Sequence, residues 1–328
     1  MKYFSFESID HQLWNSFVSQ HSESNIFHSI EFAKAIDKVE NCKPILLAQE
    51  SKGKIVALAV GYLYSEFSDV LLKRLTQRAL FQGGILFDEK ADVKAFLREL
   101  NILCKSKKAI YSNIVQLDNI EKKSLFFKSE KYKVTAIYNY YFYLSEGIDK
   151  VWNGFKSKKR QNIRKAIKNG LTISEGDIDN LKDVYRCISY TYKKLKLPLF
   201  DYSFLETLYK DLSDKNMVKI FLAKFEDQII AVRISLYFNN KAYDWYAGSY
   251  DVHKHLNAND VLVWESLKHA ANMGCRLFDF GGAGVQGTAY GVRDFKSKFG
   301  GELKSFNIYN KIHNSVLNTF IQIGKRFI

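Results

Sequence analysis

The stretch Met217–Phe238, MVKIFLAKFEDQIIAVRISLYF, indicates the fold class. Its two runs of apolar and β-branched residues flank a polar turn at 226–228, which is the pattern of a β-hairpin. The preceding segment, Phe204–Leu212, has helical periodicity. The same order occurs near the N-terminus, where a predicted helix over 28–41 precedes a predicted hairpin over 44–64. This repeat predicts a duplicated α/β domain, although two unrelated amphipathic hairpins would also look alike at so few identities.

Further elements follow the second hairpin. We predict a third strand over Lys241–Ser249, a helix from about 259 to 273, a short strand over Arg276–Phe280 and a glycine-rich loop over 281–287. Three strands in a meander, followed by a helix and another strand, are typical of an α/β fold of the layered α+β kind. The sheets of such a fold are mixed and are flanked by helices.

Two domains are predicted from the length, because 328 residues exceed the roughly 150 residues of one ordinary domain. We place them at 1–146 and 147–328. A last helix, about 314–327, either packs back on the first domain, which we expect, or touches a membrane surface. Its apolar and basic residues are Phe320, Ile321, Ile323, Lys325, Arg326 and Phe327.

The composition favours a soluble cytoplasmic protein. With 47% hydrophobic and 26% charged residues, the chain can bury sizeable cores and is not disordered. The longest apolar stretch, Ile55–Tyr64, is shorter than the roughly 20 residues of a membrane span. The N-terminus lacks an apolar signal region, and the four cysteines have no regular spacing, so we expect reduced thiols.

The charge balance favours anionic partners. Lys and Arg exceed Asp and Glu by 49 − 35 = 14, although a lysine-rich composition can also arise without a function. The run 156–170 carries many of these cations and no acid. Arg160, Arg164 and Lys168 share one face of a helix, at spacings of four residues. We expect this face to contact phosphates or RNA; a merely solvated basic face is the alternative.

Two motif-like patterns in the second half are set aside. Gly282-Ala-Gly-Val-Gln-Gly287 matches the G-x-G-x-x-G dinucleotide pattern, but only 41 residues follow it, too few for the rest of such a domain. His253 and His255 lack a third ligand with recognisable spacing, so no metal site is predicted.

Several blocks resemble the Fem family of peptidyltransferases, in the GNAT-like superfamily. They are Tyr246–Ser249, Phe278–Gly282 and Gly291–Gly301. The basic run before Gly170 and the stretch Glu31–Lys34 resemble two further family segments. The resemblance covers nearly the whole chain and implies tandem GNAT-like acyltransferase domains.

The resemblance also implies an activity. Fem-like enzymes transfer an aminoacyl group from aminoacyl-tRNA to an amine of a peptidoglycan precursor. For this chain we therefore expect aminoacyl-tRNA as donor, a phosphorylated cell-envelope precursor as acceptor, no cofactor and no stable protein partner. One alternative is an N-acyltransferase that uses acyl-CoA on an amino sugar or another envelope building block. The loop His253–Ala258 lacks the glycines of a coenzyme A cradle, which is evidence against acyl-CoA as the donor. The other alternative is a non-catalytic binding protein with the same fold.

Particular residues match the family's functional positions. Lys296 would stabilise the oxyanion formed when an amine attacks an ester, although it could instead bind the tRNA end or be a surface lysine. Asp118 would accept the amine's proton, although the ribose hydroxyl could take it and Asp118 could be a turn residue. Asp279 is expected to cap backbone N–H groups. The residues implied in substrate binding are Lys34, Arg160, Arg164, Lys168, Tyr246 and Phe295.

Overall fold

The computed structural model describes residues 2–67, 70–117 and 121–324. The strands, in chain order, are β1 (Lys2–Phe4), β2 (Cys42–Ser51), β3 (Lys54–Tyr64), β4 (Arg78–Phe81), β5 (Ile85–Phe87), β6 (Tyr111–Gln116), β7 (Lys133–Tyr143), β8 (Thr172–Gly176), β9 (Val218–Phe225), β10 (Gln228–Phe238), β11 (Lys241–Ser249), β12 (Leu277–Val285) and β13 (Glu302–Ile312).

The helices, in chain order, are α1 (His11–Gln20), α2 (Ile30–Asp37), α3 (Val70–Thr76), α4 (Val93–Ser106), α5 (Glu121–Ser129), α6 (Ile148–Gly154), α7 (Ser157–Lys168), α8 (Leu181–Leu195), α9 (Tyr202–Leu212), α10 (Ala258–Asn272), α11 (Gly291–Lys296) and α12 (Ser315–Gly324).

The chain divides into two compact units. The first comprises residues 1–137 and 305–328, and the second comprises 138–304. The division therefore lies earlier than the predicted boundary at 146/147, and the C-terminal segment groups with the first unit. The physical reason is strand pairing, because β13 pairs antiparallel with β6 from Asn307 opposite Gln116 to Ile312 opposite Tyr111.

Both predicted helix–hairpin repeats are present. The first consists of α2, β2 and β3, and the second of α9, β9 and β10. Each hairpin closes through two residues with positive φ, Lys52-Gly53 in the first and Glu226-Asp227 in the second. This is the geometry of the tight turn that matches the natural twist of two antiparallel strands. The repeat seen in the sequence is thus also a repeat of turn conformation.

The first unit is built on a mixed sheet. Its strands lie in the order β1-β2-β3-β4-β6, and β5 pairs with the other half of β3. Nearly all of β3 is buried, which explains why its sequence is continuously apolar and does not alternate. Helix α4 contributes Phe96, Leu97 and Leu100 to the core beneath this sheet.

The second unit is also built on a mixed sheet. Strands β8 to β11 pair antiparallel in chain order, and β12 pairs parallel with β11. Helix α10 contributes Val261, Leu262 and Leu267 to the core, and α7 contributes Ile163 and Ala166. The predicted strands and helix of this half are confirmed with small changes at their ends.

Strand β12 is longer than the predicted strand Arg276–Phe280. It continues to Val285 and so includes the first part of the predicted glycine-rich loop. Gly281 and Gly284 have φ values of +77° and +81°, a conformation that glycine adopts without a steric penalty. The sequence predicted a loop here because glycine usually interrupts a strand.

The C-terminal helix begins at Ser315, as expected. The N–H groups of His313 and Asn314 both donate to the carbonyl of Ile110, at 2.8 and 3.0 Å, which ties the start of α12 to the first unit. The predicted contacts of Phe320 to Phe327 with the first domain or a membrane fall outside the described side chains. Within the described residues, no helix is long and apolar enough to cross a membrane.

We expect Gly248→Ala to destabilise the second unit. A methyl group at Gly248 would lie 2.5 Å from the carbonyl oxygen of Cys187 in α8, so the helix would have to move away from β11. Overpacking of this kind costs about 2 kcal/mol of unfolding free energy. Urea denaturation followed by circular dichroism measures it. Gly282→Ala, whose methyl group meets nothing within 4 Å, is the control, and an equal effect of both changes would contradict the prediction.

Candidate active site

Lys296 ends the short helix α11 and is buried in the second unit. Only 8% of the residue is exposed. Its Nζ donates to the carbonyl oxygens of Phe280 and Gly282, the latter at 3.2 Å, and lies 4.9 Å from the centre of the Phe280 ring. Burial therefore excludes the surface-lysine alternative.

The surroundings of Lys296 leave its charge only partly compensated. Burial lowers the pKa of Lys296 to about 8, because a desolvated ammonium is disfavoured. The nearby carboxylates of Asp244 and Asp279 oppose this shift, whereas the Arg233 guanidinium adds to it. The side chain is thus a cation near neutral pH that loses its proton more easily than an ordinary lysine.

Arg233 and Asp244 form a buried ion pair between β10 and β11. Arg233 Nη1 lies 2.6 Å from Asp244 Oδ1, and Nη2 donates to Asn259 Oδ1 at 3.1 Å. Their side chains are 2% and 9% exposed. Sequence reasoning missed this pair. A signal was present, because an arginine in the middle of a continuous apolar strand is rarely buried unless it has a partner.

A β-bulge lies beside this pair. Ser235 pairs with Asp244 and Ile234 with Tyr246, so Trp245 is an extra residue in β11. Bulges re-aim side chains and are frequent next to active sites. Tyr246 follows the bulge, is half-buried, and has its ring 5.6 Å from that of Tyr192.

Asp279 has the structural role expected for it. Its Oδ1 accepts hydrogen bonds from the N–H of Gly281 and from Asn139 Nδ2, both at 2.8 Å. Burial raises the pKa of Asp279, and these two donors act against that shift. The carboxyl group therefore holds the backbone turn that places Gly281 and the two carbonyls around Lys296.

A second buried ion pair joins α7 to the first turn of α10. Lys159 Nζ lies 2.5 Å from Asp260 Oδ1, and Asn162 donates to Asp260 Oδ2 at 3.1 Å. The Lys159 ammonium also lies 4.3 Å from the centre of the Phe295 ring and 4.8 Å from that of Phe299. Sequence reasoning counted Lys159 only as one more cation of the basic run. Through the buried Lys159 side chain, the inner side of α7 contacts the segment that carries Lys296.

The predicted basic face of α7 is only partly available. Arg160 donates to the backbone carbonyls of Asn153, at 3.0 Å, and Phe155, so it caps the end of α6. This corrects the expectation that Arg160 belongs to a row of free cations. The Arg164 guanidinium is exposed and lies 5.5 Å from the centre of the Trp152 ring. Lys168, at the end of the helix, is exposed.

The remaining predicted residues are not brought together by the described structure. Phe295 is half-buried next to Lys159, directly before Lys296. Lys34 is exposed on α2 of the first unit. Asp118 lies outside the described residues. Binding roles for Lys34, Arg164, Lys168, Tyr246 and Phe295 therefore stay predictions.

The comparisons with known proteins agree with this geometry. Residues 157–297 match the acetyltransferase (GNAT) domain family. We call this matched region the GNAT domain. The region includes both buried ion pairs and Lys296. The comparison with curated proteins found no match to the chain. The prediction of a GNAT-like acyltransferase is thus confirmed.

Solved structures extend the fold likeness beyond the GNAT domain. FemX superimposes with a TM-score of 0.75 at 16% identity, over 98% of this chain and 100% of FemX. A tandem GNAT protein from the clavulanic acid biosynthesis pathway gives 0.64 at 8%, over 95% of this chain and 98% of its own. L-PGS from Bacillus licheniformis gives 0.57 at 14%, over 96% of both chains. At such identities the likeness shows the fold, and the predicted tandem GNAT-like fold is confirmed.

We expect Lys159→Met to destabilise the GNAT domain. The change leaves the Asp260 carboxylate buried without its cation, and breaking such a pair costs about 3 kcal/mol or more. Lys158→Met, at the exposed neighbouring position, should be nearly neutral. The double change Lys159→Met with Asp260→Asn should recover part of the loss. Urea denaturation of the three variants measures this, and equal midpoints for the Lys158 and Lys159 variants would refute the expectation.

Proposed function

We propose that the protein is an aminoacyltransferase that moves an aminoacyl group from aminoacyl-tRNA to an amine of a peptidoglycan or other cell-envelope precursor. The buried ammonium of Lys296 is the observation that carries the proposal. It is held in a GNAT acyltransferase domain by two backbone carbonyls, which is a costly arrangement for a residue with no function.

The ammonium has a third N–H group, which we assign to the substrate. A lysine ammonium has three N–H groups. In the described part of the chain, two acceptors bond to Lys296, the carbonyls of Phe280 and Gly282. When an amine attacks an ester, the carbonyl oxygen becomes an oxyanion. A fixed N–H donor aimed at that oxygen stabilises the transition state by about 3 kcal/mol, by analogy with other oxyanion donors.

The proton of the attacking amine also needs an acceptor. In the transfer, a C–N bond forms, the ester C–O bond breaks, and the amine proton can pass to the ribose oxygen that leaves. Asp244 and Asp279 are already bonded to Arg233 and to Asn139 and Gly281. We therefore assign neither carboxylate as the base. The role of Asp118 stays a prediction, which mutation of Asp118 can test.

Charge supports a polyanionic donor. The chain has a net charge of +14, and Lys158, Arg164, Lys165 and Lys168 are exposed on α7 of the GNAT domain. The fold likeness to FemX agrees with the resemblance of the sequence blocks to the Fem family.

Acyl-CoA is the second candidate donor, because the matched family is described as an acetyltransferase domain. The start of α10 is evidence against acyl-CoA as the donor. It is the place where a diphosphate could bind helix N–H groups. Its first turn already carries the buried carboxylate of Asp260, and Asn257 occupies the cap in place of a glycine-rich loop.

Lys296→Ala should strongly slow the acceptor-stimulated discharge of charged tRNA. We expect a loss of about 100-fold or more in the rate, because one oxyanion donor is removed. The assay follows ester loss from a pool of charged tRNAs with and without a UDP-linked muramyl peptide. Lys298→Ala, an exposed lysine two residues away, is the matched control and should remain active.

Two outcomes would decide against the proposal. If wild-type protein leaves every tRNA ester intact with the acceptor present, the aminoacyl-tRNA donor is wrong. Coenzyme A thioesters with amino-sugar acceptors are then the next panel. If both lysine variants lose activity equally, the buried position of Lys296 has no special role.

Exposed cations of α7 should account for part of the salt dependence of tRNA binding. Removing two phosphate contacts by Lys165→Ala and Lys168→Ala should reduce the slope of log affinity against log salt by about one to two units. Lys90→Ala with Lys94→Ala, exposed in the first unit, removes the same charge and is the control. Filter binding at several salt concentrations measures the slopes, and identical slopes for both pairs would show that α7 is not the contact surface.

A further inference from the structure

Two buried cations of the GNAT domain lie near the same aromatic ring. The guanidinium carbon of Arg233 lies 5.7 Å from the centre of the Phe280 ring, and Lys296 Nζ lies 4.9 Å from the same centre. Like charges that lie near the same buried ring repel each other, because the effective dielectric constant is low there. The arrangement is stable only if an anion close to both compensates their charge.

Asp244 is the acid bonded to Arg233, one of these two cations. Its Oδ1 lies 2.6 Å from Arg233 Nη1. The Asp244 backbone passes close to Lys296, because a methyl group at Gly281 would lie 3.2 Å from the Asp244 backbone carbonyl oxygen and 3.3 Å from Lys296 Nζ. The bulge at Trp245 sets the direction of Asp244 in the strand. Strands β10 and β11 thus supply Arg233 and Asp244, and helix α11 supplies Lys296 beside the Phe280–Gly281 segment of β12.

Building on the proposed role of Lys296, we propose that Arg233 and Asp244 act as a positioning pair that balances the charge of Lys296. The pair thereby sets the pH range over which the Lys296 ammonium is available as a donor. Arg233 and Asp244 need not touch the substrate, and they act through Lys296.

The other charged groups around Lys296 have separate partners. Asp279 on β12 is held by Asn139 and by the N–H of Gly281. Lys159 and Asp260 form their own pair beyond the Phe295 ring. Asp244 and Asp279 raise the pKa of Lys296, Arg233 lowers it, and burial, the largest cause, brings it to about 8.

The two members of the pair should therefore shift Lys296 in opposite directions. Asp244→Asn removes an anion, so the ammonium should lose its proton at lower pH. Arg233→Gln removes a cation, so the ammonium should persist to higher pH. Each shift should be on the order of one pH unit, the scale of a single nearby buried charge.

The titration can be measured without any enzymatic assay. Protein labelled with ¹³C at the lysine ε-carbon gives a Lys296 signal that is assigned by its absence in Lys296→Met. We expect a wild-type midpoint near pH 8, a lower midpoint in Asp244→Asn and a higher one in Arg233→Gln. The double variant loses both charges, and its midpoint should lie between those of the wild type and Asp244→Asn, because Asp244 affects Lys296 more strongly than Arg233 does.

Arg98→Gln and Glu130→Gln are the matched controls. They break an ion pair of the first unit, with Arg98 Nε 3.0 Å from Glu130 Oε1, and should leave the Lys296 midpoint unchanged. A loss of stability alone would move the midpoints of Asp244→Asn and Arg233→Gln in no particular direction. Midpoints that stay in place, or that move the same way in both variants, would overturn the proposal.

The titration test of the Arg233–Asp244 pair and the transfer assay of the proposed function can fail independently of each other. If transfer is observed, the alkaline limb of its pH–rate profile should move with the Lys296 midpoint in each variant, and a limb that stays fixed counts against the pair. If wild-type protein transfers nothing, the proposed function fails. The opposite shifts of the midpoint then still decide whether Arg233 and Asp244 balance the charge of Lys296.

Discussion

The burial of one ammonium group organises the second unit. Lys296 can stay charged in the interior only because backbone carbonyls of β12 accept its hydrogen bonds and carboxylates lie near it. Those carbonyls are presented by a strand that passes through Gly281 with a positive φ, and Asp279 holds this turn. The glycine cluster, the buried aspartate and the short helix α11 are thus parts of one arrangement.

Helix α7 has two functions in this arrangement. Its inner side supplies Lys159, whose ammonium contacts the rings of Phe295 and Phe299 and pairs with Asp260. Its outer side presents Arg164, Lys165 and Lys168 to solvent. The helix that we expect to meet a polyanion is therefore the same helix that supports the segment bearing Lys296. Binding and catalysis would share one rigid element.

Much of the fold could be predicted from local patterns. The two helix–hairpin repeats follow from continuous apolar runs separated by polar turns, and the structure has them within a few residues of the predicted bounds. The length of β12 could not be predicted, because glycine disfavours a strand locally. The grouping of 305–328 with the first unit likewise depends on β6, a partner nearly 200 residues away.

For the candidate site, the sequence alone determined that Lys296 follows a phenylalanine in a family-like block and that a basic helix precedes the GNAT domain's strands. Only the tertiary structure decided which cations are buried. Lys159, Arg160 and Lys168 look alike in the basic run, yet one is in an ion pair, one caps α6 and one is exposed. The reason is physical: a charge is buried where an acid or a carbonyl from a distant segment meets it. Asp260 reaches Lys159, and the carbonyls of β12 reach Lys296, only through the packing of the strands and helices.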